Sequence, residues 1–269
     1  MTRPLPRLVV APNGARRGKA DHPSLPITLR ETIETALACQ NAGADGLHLH
    51  IRDEDGRHSL DIERYRAAIT SIKAAAPDLY LQITSEAAGR YGADAQRAMI
   101  RALKPASVSV ALREMLTDEA KTDEVRAFYH WAAQQGVAIQ HIVYTPEELH
   151  WFLASVTQGI VPDKDHQLQL VLGSYDGDTP PRPGDLDAYL EVMGAGGGDL
   201  NFDWMVCAFG SAETACLAYA ARCGGKVRVG FENSLWNANG SLAKDNAERV
   251  AEVRAAIGAV TQTLSPCER

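Results

Sequence analysis

Short apolar segments alternate eight times with longer amphipathic segments along the chain of 269 residues. The apolar segments are rich in Val, Ile and Leu and mostly lack a polar residue at every second position, which is typical of strands buried on both faces. Strands that alternate with helices predict parallel βα units, and eight units in a chain of this length predict a (β/α)8 barrel. The predicted strands are residues 8–11, 46–51, 79–84, 107–111, 138–143, 168–172, 201–206 and 227–231.

The intervening segments carry helix signals at their ends. Thr28 followed by Glu31 is a capping-box pattern, and Gly43 stands where a helix over 28–41 should stop. Further helices are predicted over 60–75 and 244–257. A doubly wound open sheet is the alternative α/β fold, but no GxGxxG motif follows the first strand. We therefore expect an α/β TIM barrel that forms one catalytic domain over residues 1–269.

Composition narrows the class of protein. The formal net charge is -7, so the chain lacks the basic surface that nucleic-acid-binding proteins need. The cysteines at 39, 207, 216, 223 and 267 form no CxxC pair, which indicates reduced thiols in the cytoplasm. The first residues lack the apolar stretch of a signal peptide, and no apolar run is long enough to span a bilayer. We expect a cytoplasmic enzyme for small molecules, with no nucleic-acid or membrane partner.

The strand predicted over 46–51 carries His48 and His50 near its end. Residues i and i+2 of a strand point to the same side, so both imidazoles face the same space and can reach one ion. A first-row metal such as Zn²⁺ suits such a pair. The pair taken alone could equally be two half-buried histidines that bind no metal.

Polar residues also end other predicted strands, which is where the chemistry of a barrel lies. Glu232 closes the eighth strand, which lies near the first and second strands in a closed barrel. A carboxylate there could complete a His48, His50 and Glu232 set with one metal position left open. Glu232 could instead pair with Arg228 or Arg16. Arg228 could orient a catalytic carboxylate, bind a substrate carboxylate, or form a purely structural ion pair.

Weaker signals come from small polar residues elsewhere at the predicted strand ends. Ser85 and Ser109 could donate hydrogen bonds to a bound acid, although loop serines are common. Gly210 and Ser211 precede a predicted helix over 212–222, whose free N–H groups could bind the phosphate of a substrate or coenzyme. A plain serine N-cap explains the same two residues equally well.

Three longer patterns are together more specific than any of these residues alone. They are His22-Pro23 with Leu25-Pro26-Ile27-Thr28, the strand His48-Leu49-His50-Ile51-Arg52-Asp53, and Arg228-Val229-Gly230-Phe231-Glu232. With them the chain resembles the β-keto acid cleavage enzymes nearly from end to end. The resemblance implies a metal-bearing (β/α)8 barrel and a homo-oligomer, either a dimer or a tetramer. It also implies acyl exchange, in which a β-keto acid and acetyl-CoA give acetoacetate and a new acyl-CoA.

The resemblance also implies roles for individual residues. His48, His50 and Glu232 are implied as zinc ligands, and Arg228 as a site arginine. Polar contacts to the substrate are implied at Ser85 and Ser109. One departure concerns the base, because Asn233 stands where the family usually has an aspartate. An amide cannot accept a proton usefully near neutral pH. Glu86 is our first candidate for a base in its place.

Arg16 is a second departure, because the amine-cleaving member of the family has a glutamate after the corresponding Asn-Gly-Ala. A carboxylate there favours a cationic substrate tail, whereas a guanidinium repels it and binds carboxylates as a fork. The sequence therefore predicts a β-keto acid with a neutral or anionic far end, a dicarboxylate included. Arg16 could instead pair with Asp21, Asp53 or the phosphates of CoA.

The implied reaction needs a metal and a base, but no redox cofactor and no covalent enzyme intermediate. Zn²⁺ would bind the 3-keto oxygen and one carboxylate oxygen, and a base would remove the proton between them. The carbanion would then attack the thioester of acetyl-CoA, and retro-Claisen cleavage would follow. Two alternatives remain open: a class II aldolase-like, metal-dependent lyase without CoA, and a metabolite-binding barrel that has lost its activity.

Overall fold

Eight parallel strands close into a barrel, which confirms the predicted α/β TIM barrel. The computed structural model describes residues 3–117, 121–162, 164–175 and 179–263. The strands are β1 Leu8–Val10, β2 Gly46–Leu49, β3 Tyr80–Thr84, β4 Ser107–Ala111, β5 Ala138–Val143, β6 Asp165–Leu172, β7 Asn201–Ala208 and β8 Lys226–Val229. Each strand pairs with the next along the chain, and β8 pairs with β1 to close the barrel.

Helices connect the strands as predicted. They are α1 Leu29–Ala42, α2 Ile62–Ala75, α3 Ala93–Leu103, α4 Thr122–Gln134, α5 Pro146–Thr157, α6 Asp187–Gly196, α7 Glu213–Arg222 and α8 Asn246–Thr263. The expected start of α1 is confirmed, because the Glu31 N–H donates to Thr28 Oγ1 while Glu31 Oε2 accepts from the Thr28 N–H. Gly43 ends α1 with a φ of 105°. No helix among the described residues is long and apolar enough to cross a membrane.

The outer faces of the strands and the inner faces of the helices form the main hydrophobic core. In β2, Leu47 and Leu49 belong to this core, while His48 between them points into the barrel. Strand β6 alternates in the same way, with Leu168 and Leu170 on either side of the buried Gln169. Apolar and polar residues therefore alternate along these strands more than the sequence suggested, because polar side chains line the barrel axis.

The barrel interior is built in layers. Leu5, Val9, Tyr80 and Met205 form an apolar floor at the amino-terminal ends of the strands. Buried amides lie above this floor, and Ala111, Ile142, Val171 and Cys207 form an apolar group near the carboxyl ends. A short antiparallel pair, Ile51–Arg52 with His58–Ser59, follows β2 at that end. Polar groups can therefore contact a ligand at the mouth of the barrel, which the carboxyl ends of the strands form.

Candidate active site at the mouth of the barrel

Two histidines and a glutamate converge where β8, β1 and β2 meet. His48 lies in β2, His50 follows that strand, and Glu232 follows β8. The Nε2 atoms of the two histidines are 3.1 Å apart, and Glu232 Oε2 lies 3.3 Å from His50 Nε2 and 3.7 Å from His48 Nε2. All three residues are buried. The structure therefore brings together the three residues that the sequence predicted as a set.

A buried glutamine orients His48. Gln82 in β3 is the register partner of His48, and its Oε1 lies 2.8 Å from His48 Nδ1. Because an amide oxygen can only accept, His48 carries its proton on Nδ1 and presents a lone pair at Nε2. The Gln82 amide is oriented in turn by Gln140 in β5, whose Oε1 accepts from Gln82 Nε2 at 2.9 Å. Gln140 then donates to the Leu168 carbonyl at 3.2 Å.

Burial and nearby charges hold His48 and Glu232 in the protonation states that bind a cation. Burial, together with the positive charge of Arg228, lowers the pKa of His48 to about 3, so its imidazole is neutral. Burial alone would raise the pKa of the Glu232 carboxyl, but Arg228 and the two histidines hold that pKa well below its ordinary value. A neutral imidazole and an ionised carboxylate are the forms in which these side chains bind metals.

The donor set fits a divalent metal of the zinc type. Ligands roughly 2.0–2.1 Å from a tetrahedral ion lie about 3.3 Å from one another. The three separations observed between the facing atoms are 3.1, 3.3 and 3.7 Å. Lone pairs converging at these distances repel one another unless a cation or a proton lies between them. A His, His, Glu set also leaves one coordination position open, as catalytic zinc sites do.

The backbone after β8 delivers Glu232 to this position. Gly230 has a φ of 140°, and a Cβ there would lie 2.4 Å from the Ala11 carbonyl oxygen. The chain therefore turns at Gly230, and β8 ends two residues before the predicted limit of 231. Gly14 also allows close approach, because a Cβ there would lie 2.6 Å from Glu232 Cγ. The Glu232 N–H donates to the Ala11 carbonyl at 3.0 Å, which fixes the turn against β1.

Side chains from α7 and α8 hold the same turn. Asn246 accepts from the Phe231 N–H at 2.9 Å and donates to the Pro12 carbonyl at 3.0 Å, so it links the segments that follow β8 and β1. Glu213 accepts from the Gly230 N–H and forms a fully buried ion pair with Arg249 at 2.7 Å. Sequence reasoning missed these residues because their partners become neighbours only when the barrel closes.

Arg228 lies beside the cluster, and two of its nitrogen donors make no hydrogen bond among the described residues. Its Nη2 donates to Glu232 Oε1 at 2.9 Å and contacts Cys207 Sγ at 3.4 Å. Its Nε and Nη1 have no hydrogen-bond partner among the described residues, although the side chain is 4% exposed. Leaving buried donors of a charged group unpaired costs several kcal/mol, roughly 1–3 per group or more. The geometry therefore favours an anionic ligand beside Arg228.

A cavity of about 200 Å³ opens in front of this cluster. Its lining is Arg16, His48, Thr84, Glu86, Ala88, Gly89, Arg113, Glu114, Ile142, Tyr144, Val171, Gly173, Ser174, Tyr175, Cys207, Phe209, Arg228 and Glu232. A larger groove of about 450 Å³ lies beside the amino-terminal ends of β5 and β6, and no predicted site residue lines it. The smaller cavity is therefore the one that belongs to the candidate chemistry.

Glu86 lines this cavity next to the histidines. Its Oε2 lies 3.9 Å from His50 Nδ1, and burial raises the pKa of its carboxyl above the ordinary value. Glu114 supports the segment that carries Glu86, because it accepts from the Ala87 N–H at 3.0 Å and from Gln96 at 2.7 Å. The candidate base is thus held in the cavity lining beside the Nδ1 side of His50.

Other predicted site residues are placed differently. Ser85 donates to the Ser109 carbonyl at 2.9 Å, Ser109 donates to Thr84 Oγ1 at 3.3 Å, and neither serine lines the cavity. The Gly210 N–H, expected to be free for an anion, donates to the Asn233 carbonyl at 3.1 Å. Ser211 does not cap α7, which begins after Ala212 without a side-chain cap. The Asn233 side chain is fully buried, and its amide atoms have no partner among the described residues.

The sequence as a whole matches one protein family. The sequence model of the beta-keto acid cleavage enzyme family matches residues 7–268. The chain belongs to this family. The match to the beta-keto acid cleavage enzymes spans all eight barrel strands and includes His48, His50 and Glu232. The resemblance seen in the sequence motifs is confirmed.

Relatives of known activity support an enzyme that acts on β-keto acids. The 3-keto-5-aminohexanoate cleavage enzyme of Acetoanaerobium sticklandii is 29% identical over 246 residues, which cover 89% of this chain and 87% of that protein. The 3-oxoadipate:acetyl-CoA acetyltransferase of Cupriavidus necator is 26% identical over 252 residues, which cover 91% of this chain and 86% of that protein. Acetyl-CoA as a co-substrate of this beta-keto acid cleavage enzyme family member fits the names of such relatives.

Solved structures similar to this chain are TIM barrels. Apo ObcA has a TM-score of 0.63 at 18% identity, and the match covers 87% of this chain and 61% of the ObcA chain. The type I 3-dehydroquinate dehydratase of Clostridium difficile has a TM-score of 0.63 at 11% identity, covering 98% of this chain and 95% of that one. This chain thus spans about three fifths of ObcA, and at these identities the likeness shows the barrel fold alone.

Proposed function

We propose that this protein is a zinc-dependent β-keto acid cleavage enzyme that uses acetyl-CoA as its co-substrate. The observation that carries the proposal is the convergence of His48, His50 and Glu232 beside Arg228 at the mouth of the barrel. In the reaction the bond between C2 and C3 of the β-keto acid breaks. The C2 fragment with its carboxylate joins the acetyl group as acetoacetate, and the remaining acyl group leaves as a CoA thioester.

The three converging residues would hold the metal. A bound Zn²⁺ supplies Lewis acidity, which lowers the cost of negative charge on the 3-keto oxygen of the substrate. His48 contributes Nε2 because Gln82 accepts the proton on Nδ1. The two carboxylate oxygens of Glu232 have different neighbours: Oε2 lies near the histidines, and Oε1 accepts a hydrogen bond from Arg228. Arg228 thereby keeps the carboxylate ionised and fixed in one orientation.

Arg228 also binds the substrate carboxylate in this proposal. Its Nε and Nη1 have no hydrogen-bond partner among the described residues, and each can donate a charge-assisted hydrogen bond to an anionic group of the substrate. Glu232 occupies the other amino group and prevents the guanidinium from rotating. The substrate's keto carbon therefore lies near the histidines when its carboxylate is bound, which is the orientation that cleavage next to the carbonyl requires.

Glu86 is the proposed base. Its carboxylate lines the cavity 3.9 Å from His50 Nδ1, and Glu86 Oε2 would take a proton from the carbon between the carbonyl and the carboxylate of a bound substrate. The raised pKa of Glu86, caused mainly by burial, makes its carboxylate a stronger base than an exposed one. Asn233 has no group that can take this proton. Burial raises the pKa of the Cys207 thiol to about 11, so the one thiol in the lining stays protonated.

The proposal extends to the setting of the enzyme. Cys39, Cys207, Cys216 and Cys223 are free thiols, which suits a reducing compartment, and Cys267 lies outside the described residues. We accordingly propose a cytoplasmic protein, and we propose a dimer or tetramer on the basis of the family resemblance alone. Light scattering coupled to size-exclusion chromatography measures the oligomeric state directly.

The experiment measures metal content and product formation with the purified protein. We expect about one zinc per chain, and acetoacetate from a β-keto acid only when acetyl-CoA is present. His48→Ala should lose most of the zinc and the activity. His130→Ala is a matched control because His130 is exposed and, among the described residues, its ring bonds to the Gly159 carbonyl alone. Full zinc and activity in His48→Ala would show that the site is misassigned. Cleavage without acetyl-CoA would favour a class II aldolase-like lyase.

A further inference from the structure

We propose that two arginines outside the cavity set the distance between His50 and Glu232, two of the three proposed metal ligands. These positioning residues are Arg17 and Arg52, and neither lines the cavity in front of the cluster. Both act through the segment of residues 13–17 after β1, which we call the β1 loop. The inference rests on the proposed function, because it concerns how the proposed metal site is held in shape.

Arg52 holds the β1 loop against the segment that carries His50. It lies two residues after His50, in the short antiparallel pair, and its side chain is buried. Its Nη2 donates to three backbone carbonyls of the β1 loop, which are those of Asn13 at 3.2 Å, Gly14 at 2.5 Å and Arg17 at 2.9 Å. One guanidinium nitrogen therefore fixes both ends of the loop to the segment after β2.

The convergence of three carbonyls on one nitrogen depends on the charge of Arg52. Carbonyl oxygens that point at the same place repel one another, and a positively charged donor offsets that repulsion. Nη2 has two N–H groups, so at least two of the three carbonyls share a hydrogen. The Arg52 Nη1 donates to the Gly56 carbonyl at 2.9 Å, which ties the guanidinium to the turn of the antiparallel pair. A neutral side chain at position 52 would therefore let the β1 loop move away from this pair.

Arg17 joins the other side of the β1 loop to the turn that carries Glu232. Its Nη1 donates to the Phe231 carbonyl at 2.6 Å and to the Glu232 carbonyl at 3.3 Å. Gly14 of the same loop packs against the Glu232 side chain, where a Cβ would lie 2.6 Å from Glu232 Cγ. The β1 loop therefore contacts both the backbone and the side chain of this ligand.

A further hydrogen bond joins the β1 loop to His50 itself. Asn13 is buried, and its Nδ2 donates to the Pro26 carbonyl at 3.0 Å and to the His50 carbonyl at 3.4 Å. The loop thus links the segments that carry His50 and Glu232, whose Nε2 and Oε2 atoms are 3.3 Å apart. Metal sites require ligand distances within about 0.2 Å of their preferred values. A loop that shifts one segment relative to the other should therefore weaken metal binding.

The test measures binding of Zn²⁺ and of Co²⁺ to the purified metal-free protein. Arg52→Gln should raise the Kd for zinc by about ten- to a hundredfold and Arg17→Gln by about tenfold, which is the range for residues that support metal ligands. The visible absorption of bound Co²⁺ depends on the geometry of its ligands and should change in both variants. Arg52→Lys keeps a charged donor near the loop carbonyls and should recover part of the affinity lost in Arg52→Gln.

Two controls separate positioning from a general loss of stability. Arg57→Gln is the matched control on the same antiparallel pair, because the Arg57 side chain is exposed and lies 3.7 Å from Asp55. Arg97→Gln removes a buried arginine that pairs with Asp94 and Glu124 and lies outside the cavity lining. It should lower the thermal stability of the protein. Both controls should keep the zinc Kd within about twofold of wild type and leave the cobalt spectrum unchanged.

The double variant of Arg52→Gln and Arg17→Gln decides whether the two arginines act through one loop. If they do, its zinc Kd should exceed that of Arg52→Gln alone by no more than about threefold, because the loop is already released. A Kd equal to the product of the two single effects would show independent actions and would overturn the inference. If Arg52→Gln does not fold, Arg52→Lys takes its place in each comparison.

The remaining outcomes distinguish this inference from the proposed function. Single variants with zinc Kd values within about twofold of wild type and unchanged cobalt spectra would overturn the inference and leave the proposed function standing. A wild-type protein that binds neither metal would contradict the zinc dependence of the proposed function, and the inference would fall with it. Normal metal binding without acetoacetate formation would count against the proposed reaction alone.

Discussion

Replacing Gln82 by methionine should weaken zinc binding by about ten- to a hundredfold, although Gln82 is not one of the proposed ligands. Gln82 accepts the Nδ1 proton of His48 at 2.8 Å and is the only hydrogen-bond partner of that atom among the described residues. Methionine fills a similar volume but accepts hydrogen bonds poorly. The His48 ring would then lose its fixed tautomer, and Nε2 would carry the proton in part of the population. That part cannot bind a metal.

The magnitude also follows in stability units. A ten- to hundredfold rise in Kd removes about 1.4–2.7 kcal/mol of zinc-linked stabilisation at a fixed excess of metal. The assay is competition with a chelator, together with thermal unfolding with and without zinc. Imidazole NMR of the metal-free protein adds an independent readout, since the wild type should show a proton on Nδ1 of His48 and Gln82→Met a mixture.

Two variants separate orientation from simple loss of stability. Gln140→Met removes the outer amide, which bonds Gln82 at 2.9 Å but does not contact His48, so it should change zinc affinity far less than Gln82→Met. Gln82→Glu keeps an acceptor for Nδ1 and should retain most of the affinity. Zinc affinity within twofold of wild type in Gln82→Met, with an unchanged imidazole spectrum, would refute the reasoning.

Three further results are expected. Glu86→Gln should lower kcat by at least about a hundredfold, whereas Asn233→Ala should stay within about tenfold; unchanged kcat in Glu86→Gln removes Glu86 as the base. Burial lowers the pKa of His141 to about 3, so only the unfolded chain gains a proton there as pH falls through 6.5. The unfolding free energy should therefore drop by about 2 kcal/mol from pH 7 to pH 5 through this residue, and denaturant titration of His141→Phe should show a correspondingly smaller drop. Gly230→Ala should lose zinc as well as stability, because its Cβ would overlap the Ala11 carbonyl; full zinc occupancy would contradict this.

The strands and the convergence of His48, His50 and Glu232 could be predicted from the sequence, and most of the signals for them are local. Runs of Val, Ile and Leu mark the strands, and the spacing of His48 and His50 fixes their common direction before any fold is known. Glu232 joins them by an argument from barrel closure, since the eighth strand must return to the first. The structure agrees on both points.

The supporting residues could not be predicted because they depend on contacts across the barrel. Gln82 meets His48 through the register between β2 and β3, and the sequence alone does not specify that register. Asn246 looks like any polar residue at the start of a helix until it links the ends of β1 and β8. Gly210 was expected to offer a free N–H, but the Asn233 carbonyl comes back from the next loop to accept it.

Because of the turn after β8, an ion at the proposed metal site would help to hold the barrel closed. Glu232 is anchored to β1 through the Ala11 carbonyl, while His48 and His50 belong to β2 and its extension. The ion would therefore bridge the seam where the last strand returns to the first, and a chain whose final strand has not docked offers only two of the three ligands. A protein molecule that holds the metal with all three ligands would therefore have its last strand docked and its barrel closed. Metal release during mild denaturation would report the opening of that seam ahead of global unfolding.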